Sequence, residues 1–396
     1  MRKITFLFAV LFITIAVHAQ QALWGGSQIV SPEINNDNTV TFRLLAPNAQ
    51  TVQITGDFLP TRKMKTPYGD FDVPGTENLT KNDKGIWEFK SNILSSELYS
   101  YNFIVNGVKV LDPSNVYMNR DVNTVTNIFI IKGIPGDLYS VNNVKHGSVT
   151  RLWYYSQTVN KARRLTVYTP AGYNDGNKMY PVLYLLHGMG GDEEAWMALG
   201  RMSEVLDNLI AQGKAQPMIV VMTNGNITQD AAPGESALGL TQPNMQLPKT
   251  MNGEFEEAFP EVIKFIDSHF RTISDKADRA ICGLSMGGFH SKFISAQYPD
   301  MFDYVGLFSA AMLPNNGVTS EVYKNADNKV KVQFSKKPKL YWIGIGKTDF
   351  LYKYNVEYRK FLDDNKFKYT YMETEGGHIW RNWRIYLTEF AQKLFK

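Results

Sequence analysis

The sequence predicts an α/β protein in two parts, a small all-β sandwich followed by a larger domain built on a mostly parallel sheet. Three observations predict it. Segments between residues 21 and 131 alternate polar and apolar side chains with period two, and no helical pattern interrupts them. From residue 147 onward, short apolar runs alternate with stretches of helical spacing. Between the two, residues 133–146 collect Gly, Pro, Asn and Ser, the composition of a linker.

The elements follow in chain order. Met1-Arg2-Lys3 is a basic start, residues 4–16 are apolar, and Val17-His18-Ala19 offers small residues for cleavage. Residues 1–19 therefore read as a signal peptide, too short for a membrane span, which needs about 20 apolar residues. No cysteine follows the cleavage site to carry a lipid. The expected mature protein is exported, periplasmic or extracellular, without a membrane anchor.

Thr39–Leu44, Thr51–Thr55, Gly85–Phe89, Tyr99–Val105 and Val125–Ile130 are the predicted strands of the first part, residues 21–132, with Asn106-Gly107 as a hairpin turn. In the second part, residues 147–396, strands are expected at Leu165–Tyr168, Val182–Leu186, Met218–Met222, Ala280–Cys282, Tyr304–Phe308, Leu340–Ile345 and Tyr369–Met372. Several are continuous apolar runs, as in strands covered on both faces. Helices are expected around 193–213, 254–270, 286–297, 351–364 and 380–395. Residues 226–252 form a long polar, aperiodic loop of the kind that builds lids and binding walls.

Composition narrows the function classes. The formal charge of +4 falls to +2 without Arg2 and Lys3, so nothing electrostatic points to nucleic acid or an anionic membrane. The single cysteine, Cys282, can form no intramolecular disulfide and lies in a predicted buried strand, where it reads as an apolar filler. Stability must then come from core burial, for which about 375 residues are ample. An aromatic content of 13% fits a binder of carbohydrate or aryl groups.

The chemistry centres on Gly283-Leu284-Ser285-Met286-Gly287-Gly288, between an apolar strand and a helical stretch. A sharp strand-to-helix turn lifts the serine above the sheet and demands very small residues two positions to either side, here glycine at both. A serine nucleophile needs a histidine base, and the base needs a carboxylate to fix its tautomer and stabilise its cation. One recurrent chain order is serine, acid, histidine. Of six histidines, His18 leaves with the signal, His146 lies in the linker, and His187 and His269 precede the serine. His290 sits five residues past Ser285 in the same helix and cannot turn back. His378 remains, in the loop Glu375-Gly376-Gly377-His378 at a strand end.

Asp349 is the best acid candidate because it emerges from the carboxyl end of a buried strand. Asp300, Asp303, Asp363, Asp364, Glu373 and Glu375 are the alternatives, and Asp349 also suits a helix N-cap before Phe350. The oxyanion of an acyl-transfer intermediate needs two backbone donors. Met286 N–H, at a helix start, is one, and Met189 N–H in His187-Gly188-Met189-Gly190-Gly191 is the other. Gly344-Ile345-Gly346-Lys347-Thr348 lacks the first glycine of a phosphate loop, since position 341 is Tyr341. The Gly188–Gly191 cluster lacks the third glycine of a dinucleotide fingerprint, and no grouping has metal-ligand spacing. Neither a cofactor nor a metal is expected.

With these residues on the page, residues 147–396 resemble the esterase D-like branch of the α/β-hydrolases, in particular carbohydrate esterases of the feruloyl and acetyl xylan esterase group. Leu186–Trp196, Gly283–Gly288 and Gly376–Trp380 carry the likeness. Residues 39–112 resemble the early-set, glycogen-binding-like module, an immunoglobulin-like sandwich, through Thr41–Pro47 and Tyr99–Val105 to Pro113. The resemblance implies an α/β-hydrolase fold and hydrolysis of feruloyl esters on xylan or arabinoxylan oligosaccharides through a Ser285 acyl-enzyme. Trp380 would face the aromatic acyl group or pack the last helix with Trp383. The module would serve as a structural or substrate-shaping domain. Rival readings are an acetyl xylan esterase, siderophore-ester or thioester hydrolysis, and a non-catalytic glycan-binding protein.

Overall fold

A computed structural model describes residues 29–66, 69–245, 247–315 and 317–396. The expected signal peptide, residues 1–19, lies outside the described residues.

The N-terminal part is all-β, as its period-two patterning requires. One antiparallel sheet runs in the order Glu33–Ile34, Val40–Leu45, Ile86–Lys90, Thr80–Lys81. The other runs Met118–Asp121, Thr124–Ile131, Glu97–Val105, Val52–Gly56, Thr76–Asn78. Their inward residues merge into a single core in which the Phe42 ring meets Phe58 at 5.1 Å, Tyr101 at 4.8 Å and Phe129 at 5.5 Å. Trp87 is buried there, and its indole N–H donates to the Ala46 carbonyl at 2.9 Å. The five long strands fall within two residues of their expected bounds. The short pairings were not legible, notably the hairpin Thr61–Thr66 with Gly69–Pro74 and the strand Met118–Asp121.

The linker stretch is docked rather than free. It contains the helical turn Gly136–Tyr139, whose Tyr139 ring is fully buried. Its polar backbone is satisfied by side chains of the second part. Asn208 Nδ2 donates to the carbonyls of Leu138 and Ser140, and Arg201 Nε to that of Tyr139. Leu98 and Ile128 from the sandwich join Tyr139, Trp196 and Leu387 in one apolar cluster. Beside it the buried Glu97 carboxylate accepts from Arg384 at 3.0 Å.

The second part is built on an eight-stranded sheet in the order Ser148–Ser156, Lys161–Thr169, Ile219–Thr223, Val182–Leu186, Arg279–Leu284, Tyr304–Phe308, Leu340–Gly346, Thr370–Thr374. The last six run parallel, and the first two join antiparallel at one edge. Successive side chains point to opposite faces, and both faces are covered. Tyr184, Ile281, Val305 and Ile343 meet Phe259, Ile294 and Leu362 on one side. Leu183, Cys282, Phe308 and Trp342 meet Val205, Leu206, Tyr386 and Phe390 on the other. Cys282 is thus a core filler, and burial pushes its thiol pKa up.

Helices cover Glu254–His269, Met286–Gln297, Tyr352–Asp364 and Trp380–Ala391, close to expectation. The helix expected over 193–213 is two, Ala195–Ala198 and Met202–Ala211, broken after Gly200 where Arg201 takes φ +52°. The strand Ser148–Ser156 and helix Ala326–Ser335 were not anticipated. Among the described residues no helix is long and apolar enough to cross a membrane.

Candidate active site

Strand Arg279–Leu284 delivers the chain to Ser285, and helix Met286–Gln297 begins immediately after it. Ser285 has φ +53° and ψ −112°, a conformation that L-residues rarely adopt and that persists only where surroundings over-determine it. Two backbone hydrogen bonds pin the turn, Ser285 N–H to the Phe308 carbonyl at 2.8 Å and Ala311 N–H to the Ser285 carbonyl at 3.1 Å. The flanking glycines have a steric reason. A Cβ on Gly287 would stand 2.3 Å from the Leu186 oxygen, and one on Gly283 would stand 2.6 Å from the Gly287 carbonyl carbon.

Asp349 and His378 come together from different loops at the carboxyl ends of neighbouring strands. His378 Nδ1 lies 2.9 Å from Asp349 Oδ2 and 3.1 Å from Oδ1. A carboxylate accepts, so Nδ1 carries a proton, and in the neutral imidazole Nε2 is then the acceptor. Asp349 is fully buried and His378 17% exposed at the side chain, so the pair is shielded behind and open in front. Asp349 Oδ1 also takes the Leu351 N–H at 2.9 Å, so one carboxylate serves both the imidazole and the start of the following helix. Among the described residues neither His378 Nε2 nor the Ser285 hydroxyl makes a hydrogen bond.

The competing acids are occupied elsewhere. Asp300 pairs with Lys336, Asp303 with Lys276 and Asp364 with Lys360. Asp363 accepts from Tyr369, Glu373 accepts the Tyr352 and Tyr371 hydroxyls, and Glu375 pairs with Lys347. The other histidines are likewise committed. His290 is buried against Glu256 at 2.7 Å, His146 pairs with Asp207, and His269 faces Ser268.

His187 has a structural part that sequence reasoning missed. Its Nε2 accepts the Gly225 N–H and its Nδ1 donates to the Gly188 carbonyl, both at 2.7 Å, which fixes a neutral ring. Complete burial pulls its pKa down to about 4. It thereby ties the loop Gly188–Gly191 to the start of the 226–252 loop, and Asn226 Nδ2 adds a bond to the Gly191 carbonyl at 2.7 Å. Gly188 lies against Ser285, since a Cβ there would be 3.4 Å from Ser285 Cβ. Met189 packs beside Met286, Met251 and Phe289. The Met286 N–H, at the first turn of its helix, has no intrahelical acceptor and adds the positive end of the helix dipole.

Aromatic rings frame the imidazole. Phe350, 52% exposed, lies 4.6 Å from the His378 ring, and Trp383 meets it edge-on at 4.9 Å. Trp380 is half-buried between Trp196 at 5.3 Å and Trp383 at 5.1 Å, the packing alternative of its two expected roles. Phe350 was not singled out because one aromatic after an aspartate carries no sequence signal. Among the described residues no group of three or more His, Cys, Asp or Glu side chains could hold a metal ion.

Comparison with known proteins agrees with this architecture. Residues 156–394 match the Esterase family. The chain is 29% identical over 374 residues to an endo-1,4-beta-xylanase/feruloyl esterase of Xylanibacter ruminicola, covering 92% of this chain and 46% of that protein. It therefore spans about half the length of that relative. A solved ferulic acid esterase is 26% identical with a TM-score of 0.52, covering 62% of this chain and 97% of that one. The enterobactin esterase of Shigella flexneri, only 15% identical, shares the fold over 90% of this chain and 93% of its own with a TM-score of 0.61. That likeness extends beyond the eight-stranded sheet into the N-terminal sandwich. With the fold, the strained serine turn and the family match in agreement, the chain belongs to the Esterase family and has the α/β-hydrolase fold.

Proposed function

We propose that the protein is an exported serine esterase that releases hydroxycinnamoyl groups such as ferulate from plant cell-wall arabinoxylan. The observation that carries the catalytic assignment is the Asp349–His378 pair, whose Nδ1–H···carboxylate geometry leaves Nε2 to act as the base at the carboxyl ends of the parallel strands, the end of the sheet at which Ser285 stands on its strained turn. His378 Nε2 takes the Ser285 proton as Oγ attacks the ester carbonyl. The carbonyl π electrons move to oxygen, and the N–H groups of Met189 and Met286 receive that charge. The tetrahedral intermediate collapses to the acyl-enzyme, and the imidazolium protonates the departing sugar oxygen. Water, deprotonated by the same imidazole, then attacks the acyl carbon and frees the acid and Ser285. Asp349 stabilises the imidazolium in both halves.

The feruloyl preference is supported by the naming of the Xylanibacter ruminicola relative, which aligns over both parts of this chain. Phe350 sets an aromatic ring beside the imidazole, in keeping with an aromatic acyl group. Residues 147–396 form the catalytic domain in this reading, with residues 21–132 as an early-set module that shapes the substrate approach. Ser285→Ala is expected to abolish ferulate release from methyl ferulate and feruloylated arabinoxylan, by a factor on the order of 10⁶ if the triad acts as a unit. Unchanged activity in that variant refutes the assignment. Faster turnover of acetylated xylan than of methyl ferulate by the wild type would replace the acyl preference with an acetyl one.

A further inference from the structure

The turn of one sandwich hairpin reaches the loop that carries Met189. Strands Met118–Asp121 and Thr124–Ile131 pair with Asp121 opposite Thr124, leaving Val122 and Asn123 as a two-residue turn. Val122 has φ +52°. The first turn position of such a hairpin favours glycine, and a β-branched residue there is strained. Strain of this kind is kept where the side chain has work to do.

The side chain of Val122 touches the apex of the Gly188–Gly191 loop. Gly190, at φ +77°, has Val122 and Met245 as its nearest neighbours, since an added Cβ would stand 2.8 Å from Val122 Cγ2 and 2.8 Å from Met245 Sδ. The loop's two ends are tied from within the hydrolase part, by His187 at Gly188 and Asn226 at Gly191. The Gly191 N–H closes the loop on the Gly188 carbonyl at 3.1 Å, and the apex between them packs against Val122 and Met245. Three glycines in four residues give that strip wide conformational freedom, so such packing bears directly on where the Met189 N–H points. Arg120 locks the turn onto the loop. Its guanidinium donates through Nη2 to Asp192, whose side chain is only 2% exposed, and through Nη1 to the Val122 carbonyl at 3.1 Å.

We infer that Val122 and Arg120 are positioning residues for the reaction, holding the Met189 N–H on the developing oxyanion, so that the N-terminal sandwich completes the active site. The inference rests on the assignment of Met189 as an oxyanion donor.

The test is steady-state kinetics of Val122→Gly and Arg120→Ala in the full chain, with methyl ferulate and an aryl acetate as substrates. Loss of one oxyanion donor costs about 10²–10³ in turnover, and misplacement costs less. Each variant should lose about tenfold in kcat on both esters, with KM within about twofold. An aryl boronate, whose anionic serine adduct occupies the oxyanion site, should bind about tenfold more weakly. Val122→Gly relieves the backbone strain, so its melting temperature should hold or rise while kcat falls, a combination that a purely structural role does not produce. Arg120→Lys should recover part of the loss. Unchanged kcat in Val122→Gly overturns the inference, as does an effect confined to KM of the bulkier ester, which would make the turn a substrate wall. Both results leave the esterase reading standing if Ser285→Ala is inactive. An active Ser285→Ala brings down that reading instead.

Discussion

Asp349→Asn probes the pair on which the catalytic assignment rests, and its effect can be worked out from the hydrogen bonds around it. Asparagine has nearly the same volume, so the buried site stays filled. Its amide oxygen has one good position, that of Oδ1, where it keeps the Leu351 N–H now 2.9 Å away. The amide nitrogen then occupies the Oδ2 position, 2.9 Å from His378 Nδ1. Two donors cannot face each other there, so the imidazole shifts its proton to Nε2 and Nδ1 becomes the acceptor. The base is lost until that arrangement is undone, which costs about one hydrogen bond, roughly 1–1.5 kcal/mol. The imidazolium that forms in the transition state also loses its counter-charge. At about 4 Å and an effective dielectric near 20 that is roughly 4 kcal/mol. Together they give about 5–6 kcal/mol, equivalent to a fall in kcat of about 10⁴. The assay is kcat on methyl ferulate at neutral pH, with circular dichroism to show the variant folded and with Glu373→Gln and Glu375→Gln as unaffected controls. A folded Asp349→Asn that retains more than about a tenth of wild-type kcat refutes the reasoning.

Two further outcomes follow from packing and burial. Gly287→Ala must push its Cβ away from the Leu186 and His187 oxygens, 2.3 and 2.6 Å distant. It should lose most activity and about 1–3 kcal/mol or more of stability in a urea titration, whereas Gly176→Ala, with nothing within 4 Å, should change neither. Lys292 is buried in the same helix, its ammonium donating to the Met312 carbonyl at 2.8 Å, and burial pulls its pKa down to about 8 from 10.5. A base whose folded pKa is depressed costs stability in full below the folded value, progressively less between about 8 and 10.5, and nothing above. That cost is on the order of 3 kcal/mol, offset in Lys292→Met by about 1 kcal/mol for the orphaned carbonyl. Urea unfolding should therefore show Lys292→Met more stable than wild type by about 1–2 kcal/mol at pH 7, with the gain vanishing by about pH 10.5. An equal gain at both pH values would show that charge burial is not its source.

What could be read from the sequence was whatever a local rule enforces. The serine turn was legible because sterics leave glycine as the residue that fits at 283 and 287. The parallel strands were legible because burial on both faces turns them into uniform apolar runs. His378 was reached by elimination among six histidines, and Asp349 by its place after a buried strand. What escaped depends on contacts distant in sequence. Ser148–Ser156 is an edge strand whose exposed Trp153 and Tyr155 spoil any core pattern. The anchoring of Asp192, Glu193 and Glu194 is another case, because each meets an arginine, Arg120, Arg164 and Arg151 respectively, from a different strand.

That last arrangement bears on why the chain is built in two parts. Three successive carboxylates after a glycine-rich loop would repel one another and scatter the loop unless each had its own cation. Arg164 and Arg151 come from the antiparallel edge of the hydrolase sheet, but Arg120 comes from the sandwich. The sandwich is also tied through Glu97 to Arg384 in the last helix, which starts two residues after His378. It therefore holds two parts of the site's surroundings, the Gly188–Gly191 loop by its hairpin turn and the helix that follows His378 by Glu97. A unit joined merely to bring substrate nearby would not need an ion pair at each place, the Arg384–Glu97 pair buried on both sides and the Arg120–Asp192 pair closing on a buried carboxylate, since such desolvation is repaid only when geometry is held closely. The bonding pattern is that of a domain whose removal would alter the catalytic geometry itself.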